Sequence, residues 1–275
     1  MTLFTTKEIK IHVFQLLDRL AGELKGKTVI DIPAGSGESS HYLVGLGAKV
    51  LSFDLFPEFF KKDSVHIGLH CQYADLGDRI PLDDQFADFV LCQEGIEHIC
   101  DQQKLLHEIG RVLKDNGQLI LTTPNYSNFR SRLSYLINES EYYKFMPPNE
   151  IESVWMSEKS GQRIYYGHVF MIGIQKLRLL SLIAGFQIIE IVPNGWNRTS
   201  VLLAPFFYPF VIWGSLFAYL RALRKNKKNV WAVLSEQLRI NLSLNVLCCN
   251  HLIVRLKKNG FQFGENKISG FHERT

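Results

Sequence analysis

Short apolar segments alternate with segments of helical period over the first half of the chain, and this alternation constrains the fold most. The helical segments include ESSHYLVGLG and DQQKLLHEIGRVLKDNG, the second with a helix end expected at Asn116-Gly117. The apolar segments are KTVIDI, AKVLSFD, HCQYADL, ADFVLCQE and GQLILTTPN, at 27–32, 48–54, 70–76, 87–94 and 117–125. This order predicts βαβ units and a mostly parallel, doubly wound α/β sheet.

Two further strands are expected after a long irregular region. Residues 138–167 are polar and irregular, which is typical of a loop that shapes a substrate site. FQIIEIV at 186–192 predicts a sixth strand, and NVLCCNHLIVRLKK at 245–258 predicts a seventh. The organisation that follows has three parts: a seven-stranded domain at 1–192 and 245–258, an apolar helical insertion at 193–244 before the last strand, and a tail at 259–275.

Cysteine usage indicates a reducing compartment, and the net charge gives no indication of a nucleic-acid partner. The net charge is +4 and the isoelectric point about 8.7, which is too mildly basic to indicate nucleic-acid binding. The opening segment MTLFTTKEIKIHVFQLLDRL predicts an amphipathic helix and no signal peptide. The odd number of cysteines and the lack of a C-x-x-C pair predict buried free thiols at Cys71, Cys92, Cys100, Cys248 and Cys249.

The turn after the first strand carries glycines and is followed by strands that end in acids. In VIDIPAGSGESS, Gly35 and Gly37 stand between a strand and a helix, where glycine lets the backbone approach a ligand. Such a pair alone also fits a plain turn. However, Asp31, Asp54 and Asp75 end three successive strands, which packing alone does not require. A carboxylate at the second position can bind both ribose hydroxyls, and one at the third can meet an adenine amino group.

This pattern resembles that of the class I S-adenosylmethionine-dependent methyltransferases over residues 27–192. Pro33 stands where that family has its first loop glycine, so we expect a differently shaped turn. A Rossmann dehydrogenase is the alternative, but Ser40 occupies its third glycine position. The resemblance implies S-adenosylmethionine as the methyl donor, with the first acid and its loop around the methionine part. The implied cofactor-binding residues are Asp31, Pro33, Ala34, Gly35, Gly37, Asp54, Leu55, Asp75, Leu76 and Gln93.

A second motif, QEGIEHI, follows the fourth strand. If a helical turn forms here, Glu94, Glu97 and His98 project from one face, where a divalent cation such as Mg²⁺, Mn²⁺ or Zn²⁺ would relieve carboxylate repulsion. E-x-x-E-H resembles a motif of the ubiquinone-biosynthesis O-methyltransferases and of enzymes that methylate the terminal 2′-hydroxyl of small RNAs. The second resemblance implies His168 as a further metal ligand.

Glu97 and His98 are the catalytic candidates on this interpretation. A metal would acidify one of two neighbouring acceptor hydroxyls and orient it toward the methyl group. Two alternatives remain open, namely His98 as a metal-free base and a purely structural role. The remaining histidines of interest have no such context and are taken as structural or surface residues: His66, His70, His107 and His251.

An apolar stretch at 201–220 contains no charged residue and is followed by the basic segment RALRKNKK. As a helix it would be about 30 Å long, enough for a bilayer core. Pairing of the sixth and seventh strands would bring the chain back to its starting side, and Pro205 and Pro209 are expected to break a spanning helix. We therefore expect a monotopic element at 201–228 on the cytoplasmic face of a membrane. A homodimer interface or a lid is the alternative.

Together these features predict O-methylation of a hydroxyl on a membrane-associated acceptor. A lipid-linked glycan or saccharide is the first expectation, since sugars carry vicinal diols and TTPNYSNFRSRLSYLI resembles methyltransferases of polysaccharide assembly. A quinone precursor or another lipid is second. Small RNA is third, because no basic and aromatic surface is evident and no nucleic-acid partner is expected. A cofactor-binding scaffold without catalysis is the alternative of another class.

Overall fold

The computed structural model describes residues 3–61, 68–140, 146–156, 164–225 and 231–259. The strands are β1 Thr28–Asp31, β2 Lys49–Asp54, β3 Cys71–Tyr73, β4 Ala87–Gln93, β5 Leu113–Pro124, β6 Val154–Met156, β7 Ile164–Tyr166, β8 Phe186–Ile191 and β9 His251–Lys258. The α-helices are α1 Leu3–Arg19, α2 Ala21–Leu24, α3 Glu38–Gly45, α4 Gln102–Val112, α5 Phe129–Asn138, α6 Ile174–Ile183, α7 Arg198–Lys225, α8 Trp231–Asn241 and α9 Leu244–Cys248.

Seven strands form one sheet in the order β3-β2-β1-β4-β5-β9-β8. Strands β1 to β5 pair in parallel, whereas β9 runs antiparallel between β5 and β8. The central strands are buried on both faces, which explains their continuous apolar sequences. Ile30 contacts the core under α4 and α6, while its neighbour Val29 contacts the core under α1 and α3. The expected doubly wound, mostly parallel sheet is confirmed.

The amphipathic opening helix is also confirmed. The buried residues of α1 recur at helical spacing and pack with α3 on one face of the sheet: Ile9, Val13, Leu16 and Leu17. The cysteines follow the expectation only in part. All five thiols are free, but Cys71 is half-buried and Cys100 is exposed at the turn beyond β4. The other three are buried as expected.

Two element boundaries differ from the sequence-based prediction. The helix expected to end at Asn116-Gly117 ends at Val112, because Leu113 is fully buried and pairs with Ala87 of β4. The strand expected over 245–258 begins only at His251. Its first part forms α9, since Leu247 and Cys248 pack with Phe129 against the inner face of α7. In both places tertiary contacts override the local pattern.

The polar region at 138–167 contains more regular structure than expected. Strands β6 and β7 form a two-stranded antiparallel sheet in which Val154 pairs with Tyr166. The chain then returns to the main sheet, where the N–H of Phe170 donates to the carbonyl of Glu97. Residues 141–145 and 157–163 of this region lie outside the described ranges. Strand β7 and the residues that follow it therefore contact the turn that contains Glu97 and His98.

The insertion between β8 and β9 contains the long helix α7 and the shorter α8. Because β8 and β9 pair in one sheet, the insertion leaves the domain and returns to the same side of it. Within the described part of the chain, α7 is the one helix long and apolar enough to cross a membrane. The expected break at Pro205 and Pro209 is wrong, since α7 continues through both. Packing of its other face against α5, α8 and α9 stabilises this continuous helix.

Candidate active site

A cavity of about 490 Å³ opens at the carboxyl ends of β1 to β4, where parallel α/β sheets bind ligands. Both charged and apolar side chains line it. The strand ends and the turns after them supply Pro33, Asp54, Leu55, Phe56, Asp75, Leu76, Glu94, Gly95 and His98. The remaining wall comes from the segment before α4, from α4 and from β7, with Ile99, Cys100, Asp101, Lys104, Tyr165 and Tyr166.

The glycine turn and Asp54 hold each other in place. The N–H groups of Gly35 and Phe56 donate to the two carboxylate oxygens of Asp54, each at 2.8 Å. Gly37 has φ +81°, and a Cβ there would lie 2.6 Å from the ring of Phe60. The peptide bond between Ile32 and Pro33 is cis. Asp54 is thereby fixed at the end of β2, facing the cavity.

Asp31 lies beneath this turn and is fully buried. The hydroxyl of Ser40 donates to its Oδ2 at 2.6 Å, while its Oδ1 is buried without a hydrogen-bond partner. Burial raises the pKa of Asp31 to about 7, and the charge of Asp54 adds to this, against the opposing hydrogen bond from Ser40. Asp31 is therefore a carboxyl group close to its midpoint of ionisation at neutral pH.

The other predicted cofactor residues divide into two groups. Pro33, Asp54, Leu55, Asp75 and Leu76 line the cavity, and the N–H of Gly77 donates to the Asp75 carboxylate at 2.7 Å. The second group is not among the residues that line the cavity: Asp31, Ala34, Gly35, Gly37 and Gln93. The side-chain amide of Gln93 donates to the hydroxyl of Ser39 at 2.7 Å. Sequence reasoning missed Phe56 and Ile99, apolar side chains suited to flank a planar base.

A second group of side chains lies next to the cavity at the 3₁₀ turn Ile96–His98. The potential ligand atoms of Glu97, His98 and His168 all lie within 4.8 Å of one another. The hydroxyl of Thr123 donates to Glu97 Oε2 at 3.0 Å, and the rings of His98 and His168 meet edge-on with centroids 5.1 Å apart. One carboxylate and two imidazoles thus converge on one point.

The hydrogen bonds around His98 favour a ligand or base role for this residue. His98 Nδ1 lies 2.8 Å from the carbonyl oxygen of Tyr166. Because a carbonyl only accepts, Nδ1 carries the hydrogen and Nε2 keeps its lone pair. Burial lowers the pKa of His98, and neighbouring His168 lowers it further, so the ring is neutral at physiological pH. This donor set fits a divalent cation that accepts nitrogen and oxygen ligands.

Glu94, the fourth predicted ligand, is not part of this convergent group. Its backbone has φ +49°, and its Oε1 accepts a hydrogen bond from the Thr122 hydroxyl at 2.9 Å. Its Oε2 lies 3.8 Å from Nε2 of His251. His251 was expected to be structural or a surface residue, and its place on a strand gave no signal of a site. His66 lies outside the described ranges.

Comparison with known proteins agrees with this geometry. Residues 30–121 match the family model described as methyltransferase domain. Among curated relatives, the ubiquinone biosynthesis O-methyltransferase of Coxiella burnetii is 28% identical over 159 residues, covering 51% of this chain and 65% of the relative. The enzyme of the same name from Nitrosomonas europaea is 28% identical over 151 residues, covering 49% and 64%. The chain thus spans less than two thirds of the length of these relatives.

Solved structures show the same fold. A candidate sarcosine dimethylglycine methyltransferase from Galdieria sulphuraria has a TM-score of 0.51 at 16% identity, covering 91% of this chain and 86% of that chain. A candidate S-adenosylmethionine-dependent methyltransferase from Listeria monocytogenes has a TM-score of 0.51 at 16% identity, covering 92% and 99%. Residues 30–121 thus match a methyltransferase domain, within a chain that has the fold of these solved structures.

Proposed function

We propose that this protein transfers the methyl group of S-adenosylmethionine to a hydroxyl oxygen of a small-molecule acceptor. The observation that carries the proposal is that His98 both lines the cofactor cavity and belongs to the group with Glu97 and His168. In the reaction, the acceptor oxygen bonds to the methyl carbon while the sulfur–carbon bond breaks. S-adenosylhomocysteine leaves, and the acceptor proton passes to a base.

Glu97, His98 and His168 would hold a divalent cation beside the acceptor. When bound, such an ion supplies positive charge that lowers the pKa of a coordinated hydroxyl. Thr123 and the carbonyl of Tyr166 orient Glu97 and His98 for this role. Without an ion, the lone pair of His98 Nε2 can itself accept the proton of the acceptor hydroxyl.

The acceptor class follows from the relatives and from the donor set. The names of the curated relatives favour an aromatic hydroxyl of a quinone precursor over the saccharide expected from the sequence. A catechol offers two neighbouring oxygens, which suits a site that holds a divalent cation. We therefore place a catechol-type phenol first and a lipid-linked saccharide second.

Calorimetry tests the cofactor and the cation together. We expect wild-type protein to bind S-adenosylhomocysteine, and Asp54→Ala to weaken this binding by about 2–3 kcal/mol, because a charged hydrogen-bond acceptor is lost. Glu97→Gln should retain this affinity while losing stoichiometric Mg²⁺, Mn²⁺ or Zn²⁺. Unchanged binding by Asp54→Ala would refute the ribose assignment. Cofactor binding without any metal would leave His98 as the base.

We also propose that α7 attaches the protein to a membrane. Its apolar side chains at spacings of three and four residues form one row, the outward stripe, and each is between 53% and 72% exposed: Leu202, Phe206, Phe210, Trp213, Phe217 and Leu220. The row is about 27 Å long. The aromatic side chains in it are of the kind that favour the membrane interface.

Charge complementarity favours an anionic membrane leaflet over a second copy of the chain. Arg221, Arg224 and Lys225 end the helix directly after the outward stripe, where anionic headgroups would meet them. The basic residues Lys227 and Lys228, part of the attachment expected at 201–228, lie outside the described ranges. Since the insertion returns to its own sheet, we place α7 along one leaflet.

Flotation with vesicles of phosphatidylcholine and phosphatidylglycerol tests this attachment. We expect wild type to float and the triple variant Phe206→Ser, Phe210→Ser, Trp213→Ser to remain unbound, because the buried apolar area is lost. A matched control replaces exposed apolar residues elsewhere, with Ile11→Ser, Leu179→Ser and Ile189→Ser, and should still float. Wild type that stays unbound and sediments as a dimer, with monomeric triple variant, would establish the dimer interface instead.

A further inference from the structure

The turn that contains Glu97 and His98 and the segment that contains His168 come from distant parts of the chain. The turn Ile96–His98 follows β4, whereas His168 lies two residues after the end of β7. A site made of both segments therefore requires contacts that hold one segment against the other. The groups that orient metal ligands in this way strongly affect the affinity for the metal.

Backbone groups make part of this connection. The carbonyl of Tyr166 accepts the bond from His98 Nδ1 at 2.8 Å. The N–H of Phe170 donates to the carbonyl of Glu97 at 3.1 Å. These two bonds lie on either side of His168 in the chain, so the backbone around His168 is bonded to the turn both before and after this residue.

The side chain of Gln102 makes a second connection between the same two segments. Gln102 is the first residue of α4 and is only 3% exposed. Its Nε2 donates to the carbonyl of Phe170 at 2.6 Å and to the carbonyl of Ile96 at 3.2 Å. Because carbonyls only accept, both hydrogens of the amide are used, one for each segment. One buried amide nitrogen therefore bridges the turn and the segment that contains His168.

The two bonds of this bridge differ in what their loss would change. The carbonyl of Ile96 also accepts the N–H of Ile99 at 3.2 Å, so it keeps a partner without Gln102. The bond to Phe170 is the shorter of the two, and its loss would release the segment that contains His168. The Oε1 of Gln102 is buried without a hydrogen-bond partner among the described residues, which offsets part of the stability that the bridge provides.

We propose that Gln102 is a positioning residue for the cation site, because its amide holds the segment of His168 against the turn of Glu97 and His98. This inference rests on the proposed function, since it takes those three side chains to bind one cation together. Gln102 is not among the residues that line the cofactor cavity. Its replacement should therefore weaken binding of the cation and leave binding of the cofactor intact.

Calorimetric titration with Zn²⁺ and, separately, with Mn²⁺ tests this role on protein loaded with S-adenosylhomocysteine. Gln102→Met keeps the length of the side chain and removes the donor. We expect it to bind the metal about tenfold more weakly than wild type does, at the stoichiometric site that Glu97→Gln removes, because a group that orients a ligand is lost. Its Kd for S-adenosylhomocysteine should stay close to that of wild type.

A second variant and a matched control accompany Gln102→Met. Gln102→Asn keeps an amide that is one methylene shorter and cannot reach both carbonyls, so it should weaken metal binding even if Gln102→Met folds poorly. Gln103→Met makes the same substitution at the next residue of α4. Within the described part of the chain, the side-chain nitrogen and oxygen of Gln103 are buried without hydrogen-bond partners. This control should keep the wild-type affinities for metal and for S-adenosylhomocysteine.

Amide hydrogen exchange measures the bridge itself, in protein without metal. In Gln102→Met the N–H of Phe170, which bonds the carbonyl of Glu97, should lose protection, whereas the amides of β4 should exchange as in wild type. Unchanged protection of Phe170 would show that the amide does not hold this segment and would overturn the inference.

The metal titrations separate this inference from the function on which it rests. Unchanged metal affinity in both Gln102 variants, with a metal site in wild type that depends on Glu97, overturns the positioning role alone. A wild type without such a metal site overturns the proposed cation site and the inference with it. A wild type that does not bind S-adenosylhomocysteine overturns the proposed methyl transfer as well.

Discussion

The backbone angle φ of Glu94 separates its carboxylate from that of Glu97, although the sequence spacing predicts that the two share one face. The spacing of Glu94, Glu97 and His98 predicts a shared face only if all three are helical. The helical turn begins at Ile96, and Glu94 before it has φ +49°, so its side chain meets Thr122 and His251 instead. Glu97 and His98 could be identified from sequence, whereas the partnership with His251 depends on two strands far apart in the chain.

At the same scale, Asp31 should make stability depend on pH. The pKa of its carboxyl is about 7 in the folded protein and 3.8 ordinarily, so between these values the folded state binds more protons than the unfolded state. The free energy of unfolding therefore falls by about 4 kcal/mol as pH rises from about 4 to about 7, and stays level above that.

Asp31→Asn removes this titration and should raise stability above pH 7 relative to wild type. The measurement is urea unfolding at a series of pH values for both proteins. If the free energy of unfolding changes with pH equally in the variant and in wild type, a group other than Asp31 causes the pH dependence.

At the scale of elements, the sequence predicts the strands that follow from a local repeating pattern. It does not predict the element boundaries that depend on contacts with distant parts of the chain. The six strands from KTVIDI to FQIIEIV follow from apolar periodicity and turn residues. The early end of α4 at Val112 and the helix α9 do not, because Leu113 and Leu247 are positioned by partners remote in sequence. The continuity of α7 through Pro205 and Pro209 likewise depends on neighbouring helices that a local pattern does not contain.

An ion pair attaches the insertion to the catalytic domain. Arg178 of α6 donates from Nε and Nη2 to Glu236 of α8 at 2.9 and 2.7 Å, and its side chain is only 7% exposed. Glu236→Ala leaves this buried guanidinium without its counterion and should lower the free energy of unfolding by about 3 kcal/mol. Glu38→Ala breaks the more exposed pair with Lys10 and should cost less than about 1 kcal/mol. Denaturant unfolding measures the free energy of unfolding of both variants. Equal losses in the two variants would contradict a stabilising role for the ion pair between Arg178 and Glu236.

At the scale of the whole molecule, apolar and basic surfaces succeed each other along one helix. The outward stripe and Arg221, Arg224 and Lys225 should act together on anionic vesicles, each basic residue adding about 1 kcal/mol at low salt. Raising the salt concentration from about 0.05 M to about 0.5 M should weaken binding to anionic vesicles and leave binding to neutral vesicles nearly unchanged. Sedimentation measures both, and equal salt dependence would show that the basic residues do not contact headgroups.

The attachment of α8 to α6 has a consequence for kinetics. Gln175 and Arg178 bond Asn241 and Glu236, so the helical insertion and the cofactor cleft keep one mutual orientation. If α7 attaches the enzyme to a bilayer as proposed, an acceptor dissolved in the lipid reaches it by lateral diffusion, in two dimensions instead of three. The rate should then follow the mole fraction of acceptor among the lipids. Adding plain phospholipid should slow turnover by surface dilution, even when the amount of acceptor per millilitre is unchanged.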